Sequence, residues 1–119
     1  MKKVLIVEDS AGWQEIWKRE LSDLPDTYLL SALSIEEAER LFRANGPFDV
    51  IVMDACVPGD EPTTPPLVWM MRETYNGPII ACSSFSPYRD QLMQVGCNFS
   101  AMKEDVGGIV RRLLTSAGA

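Results

Sequence analysis

The chain has 119 residues, 46% of them apolar and 24% charged, about one ordinary domain with enough apolar material for a packed core. A second, fused output domain is not expected within that length. The formal charge of -6, with no local cluster of lysine or arginine, argues against a surface that neutralises nucleic-acid phosphates.

In chain order, Val4 to Val7 is a short apolar run ending abruptly in Glu8-Asp9, the pattern of a strand buried on both faces. From Ala11 a helix is predicted, with Trp13, Ile16, Trp17, Leu21 and Leu24 on one face and Gln14, Glu15, Lys18 and Arg19 on the other; Pro25-Asp26 stop it. Tyr28 to Leu30 with its flanks reads as a second strand. Ser34 and Glu37 form a capping box for a second helix, which buries Ala38, Leu41 and Phe42 and ends at Gly46-Pro47. Phe48 to Met53 predicts a third strand that delivers Asp54 at its carboxyl end.

Between Ala55 and Thr64, Pro58, Gly59, Asp60, Glu61 and Pro62 are loop chemistry. Thr64 is expected to cap a third helix that carries Pro65 and Pro66 in its first turn and runs through Trp69 and Met70 toward Asn76-Gly77. Pro78 to Cys82 is the fourth strand. Ser86-Pro87 reads as cap and first turn of a fourth helix, lined by Tyr88, Leu92 and Val95 and closed by Gly96. Asn98 to Met102 gives the fifth strand. Glu104 to Ser116 gives the fifth helix, weakened locally by Gly107-Gly108. Trp13, Trp17 and Trp69 are expected to be core or helix-packing residues.

Strict alternation of strand and helix predicts an α/β fold, a doubly wound parallel sheet of five strands wrapped by helices on both faces. In such sheets the ligand site lies beyond the carboxyl ends of the strands, where strand order reverses. The absence of histidine removes the usual general base and excludes a Ser-His-Asp or Cys-His hydrolase. Cys56, Cys82 and Cys97 stand in no metal-ligand spacing, so they are expected as reduced, mostly buried thiols rather than a zinc site. No apolar run is long enough to span a bilayer, and the start turns acidic too early for a signal peptide; a cytoplasmic location is expected.

The polar residues at the strand ends are Glu8, Asp9, Asp54, Ser83, Ser84 and Lys103. Crowded carboxylates repel one another unless a hard divalent cation sits among them, and magnesium fits best. A carboxylate nucleophile, a metal, a lysine and a hydroxyl together make a phosphoryl-transfer site. Singly these residues read as a helix cap, a turn residue, a loop hydroxyl and a solvated lysine. Their joint occurrence at four strand ends is what points to chemistry.

In those landmarks, from Lys3 to about Leu114, the chain resembles the receiver domain of response regulators in two-component signalling. The resemblance implies a (βα)5 flavodoxin-like sheet of order 2-1-3-4-5 and a phosphoacceptor at Asp54. Magnesium would be ligated by Asp9, Asp54 and the backbone carbonyl of Cys56, with Glu8 acting mostly through bound water, while Ser83 and Lys103 grip the phosphoryl group. It further implies a single receiver domain over residues 1–119 without an output domain. Such a domain catalyses its own magnesium-dependent phosphorylation and dephosphorylation and turns over no separate metabolite. The expected partners are a histidine kinase or histidine phosphotransfer protein and an unidentified downstream protein, with a homodimer as a further assembly open to it.

The chain departs from the family pattern in several places. Glu104 follows the lysine where proline is usual, so a trans bond and a reshaped loop are expected. Ser100 occupies the aromatic switch position, and Phe99 next to it should face the other side of the strand. The loop from Ala55 to Thr64 is about four residues longer than usual, judged from the helix start at the proline pair. Two rival readings follow. One is a pseudo-receiver that binds partners without phosphorylation; the other is a flavin- or nucleotide-binding protein of the same topology, whose phosphate Glu8-Asp9 would repel.

Overall fold

Val4, Leu5, Ile6 and Val7 are completely buried because β1 (Lys2–Val7) has a strand on each side and helices on both faces. The computed structural model describes residues 1–116; the last residues of the expected 1–119 span lie outside them. Among the described residues β1 is followed by α1 (Ala11–Glu20), β2 (Thr27–Ala32), α2 (Ile35–Asn45), β3 (Val50–Asp54), α3 (Pro65–Met71), β4 (Ile79–Cys82), α4 (Ser86–Val95), β5 (Phe99–Ala101) and α5 (Val106–Ser116), the last preceded by a 3-10 turn at Lys103–Asp105. The five strands are parallel and run in the order β2-β1-β3-β4-β5, as expected.

The period of two along each strand divides the core into two layers. Leu5, Val7, Ile51, Met53, Ile79 and Ala81 face the layer that receives Ala38 of α2, Leu67, Val68 and Met71 of α3, and Leu92 of α4. Val4, Ile6, Val50, Val52, Ile80 and Cys82 face Trp17 and Leu21 on one side chain stripe and Val106, Val110 and Leu114 of α5 on another. Each fully buried Leu, Ile or Met contributes about 1.5–3 kcal/mol relative to exposure, so the two layers hold the strands together along their length. Among the described residues no helix is long and apolar enough to cross a membrane.

Several element edges differ from expectation. α1 stops at Glu20, and turns carry the chain through Leu24. Its buried positions are Gln14, Trp17 and then Leu21, while Ile16 is 40% exposed. The face is rotated because α1 lies over the ends of β1 and β2, where main-chain carbonyls require a donor, and the Gln14 amide supplies it. α3 stops at Met71 and buries Leu67, Val68 and Met71. Trp69 falls on the opposite side of that short helix and is 68% exposed, so it is not a core residue.

The caps also differ. Ser34 accepts from Glu37 N as expected, while Glu37 Oε1 accepts from Leu33 N rather than from Ser34 N. Thr64 makes no side-chain cap to α3. Phe85, not Ser86, is the residue before α4, and Ser86 and Pro87 form the first turn. Gly96 closes α4 at φ 134°, a left-handed conformation that costs glycine nothing.

Candidate functional site

Strand register assembles the site. β1 pairs Val7 with Met53, and β3 pairs Asp54 with Cys82, so Glu8, Asp54 and Ser83 leave adjacent strands at one level. β4 in turn pairs Cys82 with Ala101, which brings Lys103 to the same edge. β1 lies between β2 and β3, so the first crossover runs one way along the sheet and later ones the other; a crevice opens at that reversal. It is a cleft of about 300 Å³ lined by Glu8, Asp9, Asp54, Cys56, Ser83 and Lys103, joined by Asp60, Phe85 and Tyr88 among others. All the residues singled out from the sequence therefore meet in one place.

Glu8 and Asp54 are buried. Lys103 Nζ lies 2.7 Å from Glu8 Oε1 and 3.6 Å from Asp54 Oδ2. The approach to Glu8 is oblique, so Oε1 has an ionic partner but no aligned hydrogen-bond donor. Glu8 Oε2 accepts from Ser10 N at 3.2 Å, and Asp54 Oδ1 accepts weakly from Cys56 N at 3.4 Å. Asp9 sits on the rim, where its Oδ2 accepts from Gly59 N at 3.2 Å. Ser83 Oγ accepts from Phe85 N at 3.1 Å, and its own hydrogen has no acceptor among the described residues.

Burial pushes the Glu8 carboxyl up to about 8, and the neighbouring Asp54 carboxyl adds to this while Lys103 opposes it. Asp54 is raised as well, mainly by burial, with Glu8 and Lys103 pulling it back. Lys103 is held above its usual value because Glu8 and Asp54 outweigh its own desolvation. Two carboxyls this close titrate as a pair, and the pair keeps a proton longer than an isolated carboxylate would.

The donors suit a hard cation. A carboxylate oxygen of Glu8, one of Asp54 and Cys82 Sγ lie within 4.8 Å of one another. Burial holds the Cys82 thiol well above its usual value, and a protonated thiol is no ligand for magnesium. The Cys56 carbonyl accepts no hydrogen bond among the described residues, so it is an unused oxygen beside Asp54. With Asp9 on the rim, the available ligands are oxygens, and excess negative charge faces a single lysine. The Cys56 thiol is itself pushed up to about 11 by burial and nearby carboxylates, which makes it a poor nucleophile.

Four supporting residues were not foreseen. Thr64 is buried, and its hydroxyl hydrogen is shared between the carbonyls of Asp54 at 2.7 Å and Ala55 at 3.1 Å. Thr64 thus fixes the main chain that carries Asp54. The Gln14 amide donates to Ile6, Glu8 and Ala32 carbonyls at 3.1–3.4 Å, and Trp17 Nε1 donates to the Lys103 carbonyl at 3.1 Å. Arg89 reaches from α4 to Ser83 O at 2.6 Å and Ser100 Oγ at 3.1 Å. Lys103-Glu104 is trans, the cis bonds among the described residues being Gly46-Pro47 and Val57-Pro58. Phe99 packs into the layer beneath α1 and α5 while Ser100 faces α4, opposite faces as expected.

No protein-family model and no curated protein matches the sequence. Solved structures do match. A response regulator receiver protein from Pseudoalteromonas atlantica superposes with a TM-score of 0.80 at 15% identity, covering 97% of this chain and 98% of that one. The Vibrio cholerae chemotaxis protein CheY4 gives a TM-score of 0.73 at 24% identity over 95% of this chain and 98% of that one. The N-terminal domain of an uncharacterised protein from Wolinella succinogenes gives 0.74 at 28% identity, covering 97% and 91%.

Proposed function

We propose that this chain, which has the fold of response regulator receiver domains, accepts a phosphoryl group on Asp54 and signals through protein–protein contacts as a stand-alone module. One observation carries the proposal. The Asp54 carboxylate shares a cleft with a lysine ammonium 3.6 Å away and a serine hydroxyl whose hydrogen has no acceptor among the described residues.

A phosphohistidine on a histidine kinase or phosphotransfer protein is the expected donor. An Asp54 oxygen attacks phosphorus, the P–N bond breaks, and the imidazole nitrogen leaves with the electron pair and takes up a proton. Magnesium, held by Asp9, Asp54 and the Cys56 carbonyl with Glu8 on its hydration water, would supply charge neutralisation at the phosphoryl oxygens. Lys103 binds one of those oxygens and Ser83 donates to another. Thr64, gripping the Asp54 carbonyl, keeps the nucleophile in register. A cytoplasmic setting, with its reducing poise, belongs to the same reading and suits three free buried thiols.

The test is incorporation from a small-molecule phosphodonor, or formation of a beryllium fluoride adduct, with and without magnesium. Uptake that requires magnesium and disappears in Asp54→Asn is expected. Equal uptake in that variant, or without metal, would overturn the assignment. A second reading, a pseudo-receiver that binds partners without phosphorylation, is favoured by the Glu8–Lys103 contact of 2.7 Å, which occupies the lysine. Under that reading wild-type protein takes up no label at all.

A further inference from the structure

We infer that Arg89 is the positioning residue for Ser83, fixing where the serine hydroxyl points and coupling it to β5; this rests on the phosphoacceptor reading above. Arg89 lies near the start of α4, and its side chain folds back across the loop that follows β4. Nη1 donates to the Ser83 carbonyl at 2.6 Å, and Nε donates to Ser100 Oγ at 3.1 Å. Ser100 stands opposite Ala81 in the β4–β5 register. One planar guanidinium therefore ties together α4, the loop bearing Ser83, and the edge strand.

The two contacts use different nitrogens of a rigid fork, so the guanidinium plane is fixed and not only its distance. The bond to the Ser83 carbonyl is charge-assisted and short, the strong kind. Arg89 forms no ion pair among the described residues, so nothing else competes for it there. Ser83 is consequently held twice, at its carbonyl by Arg89 and at its hydroxyl oxygen by Phe85 N at 3.1 Å. What remains free is the hydroxyl hydrogen, the group a phosphoryl oxygen on Asp54 needs.

The same arrangement transmits movement. If Ser83 closes on a phosphoryl group, its carbonyl carries the guanidinium with it, and Ser100 and the first turns of α4 follow. Ser100 offers no ring to rotate, and the arginine supplies a mechanical link in its place.

Two measurements decide the matter. The first is amide exchange at Phe85, whose N–H bonds Ser83 Oγ. It should quicken about tenfold in Arg89→Ala and in Arg89→Lys, and about threefold in Ser100→Ala, with Thr63 and Thr64 unchanged. The second is the rate of Asp54 phosphorylation. Arg89→Ala should slow it about tenfold with the magnesium half-saturation unaltered, and adding Arg89→Ala to Ser83→Ala should cause no further loss. A residue that merely stabilised α4 would act additively with Ser83→Ala and leave Phe85 exchange alone. Unchanged exchange at Phe85 in Arg89→Ala, or wild-type phosphorylation by that variant, overturns the inference. If the wild type takes up no label, the acceptor reading falls by itself, and exchange at Phe85 still decides for or against Arg89.

Discussion

Lys103 and Glu8 make the closest charge contact in the cleft, Nζ to Oε1 at 2.7 Å, while Asp54 Oδ2 lies farther from the same ammonium at 3.6 Å. The lysine leans toward the deeper carboxylate. Glu8 is completely buried, so the ammonium offsets a charge that water cannot reach, yet burial still dominates its protonation.

That balance sets a pH dependence. Between the ordinary value of 4.5 and about 8, the folded protein retains a proton at the Glu8–Asp54 pair that the unfolded chain has released. The native state then binds more protons than the unfolded one, and stability falls as pH rises through that window. There is no histidine in the chain to mask the slope. Urea midpoints measured with a chelator present should decline across the window in the wild type and decline less in Glu8→Gln, where the buried Asp54 carboxyl alone remains to titrate. A level wild-type profile would contradict the pairing.

Gln14 concerns the foundation of the site. Its amide serves three carbonyls, including that of Glu8; Ala32 O also accepts from Glu8 N at 3.0 Å, and Ile6 O lies in the β1–β2 ladder. Gln14→Leu should cost about 2 kcal/mol, since the Glu8 carbonyl loses its donor and the other two carbonyls lose a second one. Gln14→Glu should be worse at neutral than at acidic pH, because a carboxylate there faces carbonyl oxygens. Denaturant titration of the three proteins at two pH values is the check.

The tryptophans divide sharply in their expected effects. Trp17→Phe loses the indole bond to the Lys103 carbonyl and part of the packing under α5, and should destabilise by about 1–2 kcal/mol. Trp69→Ser removes a ring that is 68% exposed, and should shift stability by no more than about 0.5 kcal/mol. Equal losses in the two variants would show that the faces of α1 and α3 are wrongly assigned.

Cys56 and Phe85 bear on how long a phosphoryl group would last. Both line the cleft, with Phe85 set edge-on to Tyr88 at 4.7 Å and 52% exposed at the mouth. Neither side chain can orient an attacking water as an amide or carboxylate can, and the aromatic pair narrows its approach. Phospho-Asp54 should therefore be long-lived, and Cys56→Asn with Phe85→Glu should hasten phosphate release about tenfold. Release timed in magnesium, with folding of both proteins verified, is the measurement; fast loss in the wild type with no gain in the variant would refute the idea.

The apolar runs at Val4 to Val7, Val50 to Met53 and Ile79 to Cys82 were legible as buried strands because main-chain geometry is local, and a polar residue directly after such a run must lie at a strand end. That was enough to bring Glu8, Asp9, Asp54, Ser83 and Lys103 into one cleft. The alternation of elements likewise sufficed for a parallel doubly wound sheet.

Tertiary structure alone decided which way each helix turns. Gln14 rather than Ile16 faces inward because the ends of β1 and β2 present carbonyls there, and Trp69 faces outward because it lies on the side of α3 opposite Leu67, Val68 and Met71, which pack on the sheet. The supports of the site were equally invisible. Trp17 reaches Lys103 across 86 positions of sequence, and Arg89 joins Ser83 to Ser100 through one side chain. Such contacts leave no period or spacing along the chain, since a long side chain bonds whatever carbonyl or hydroxyl the folded neighbours place within its reach.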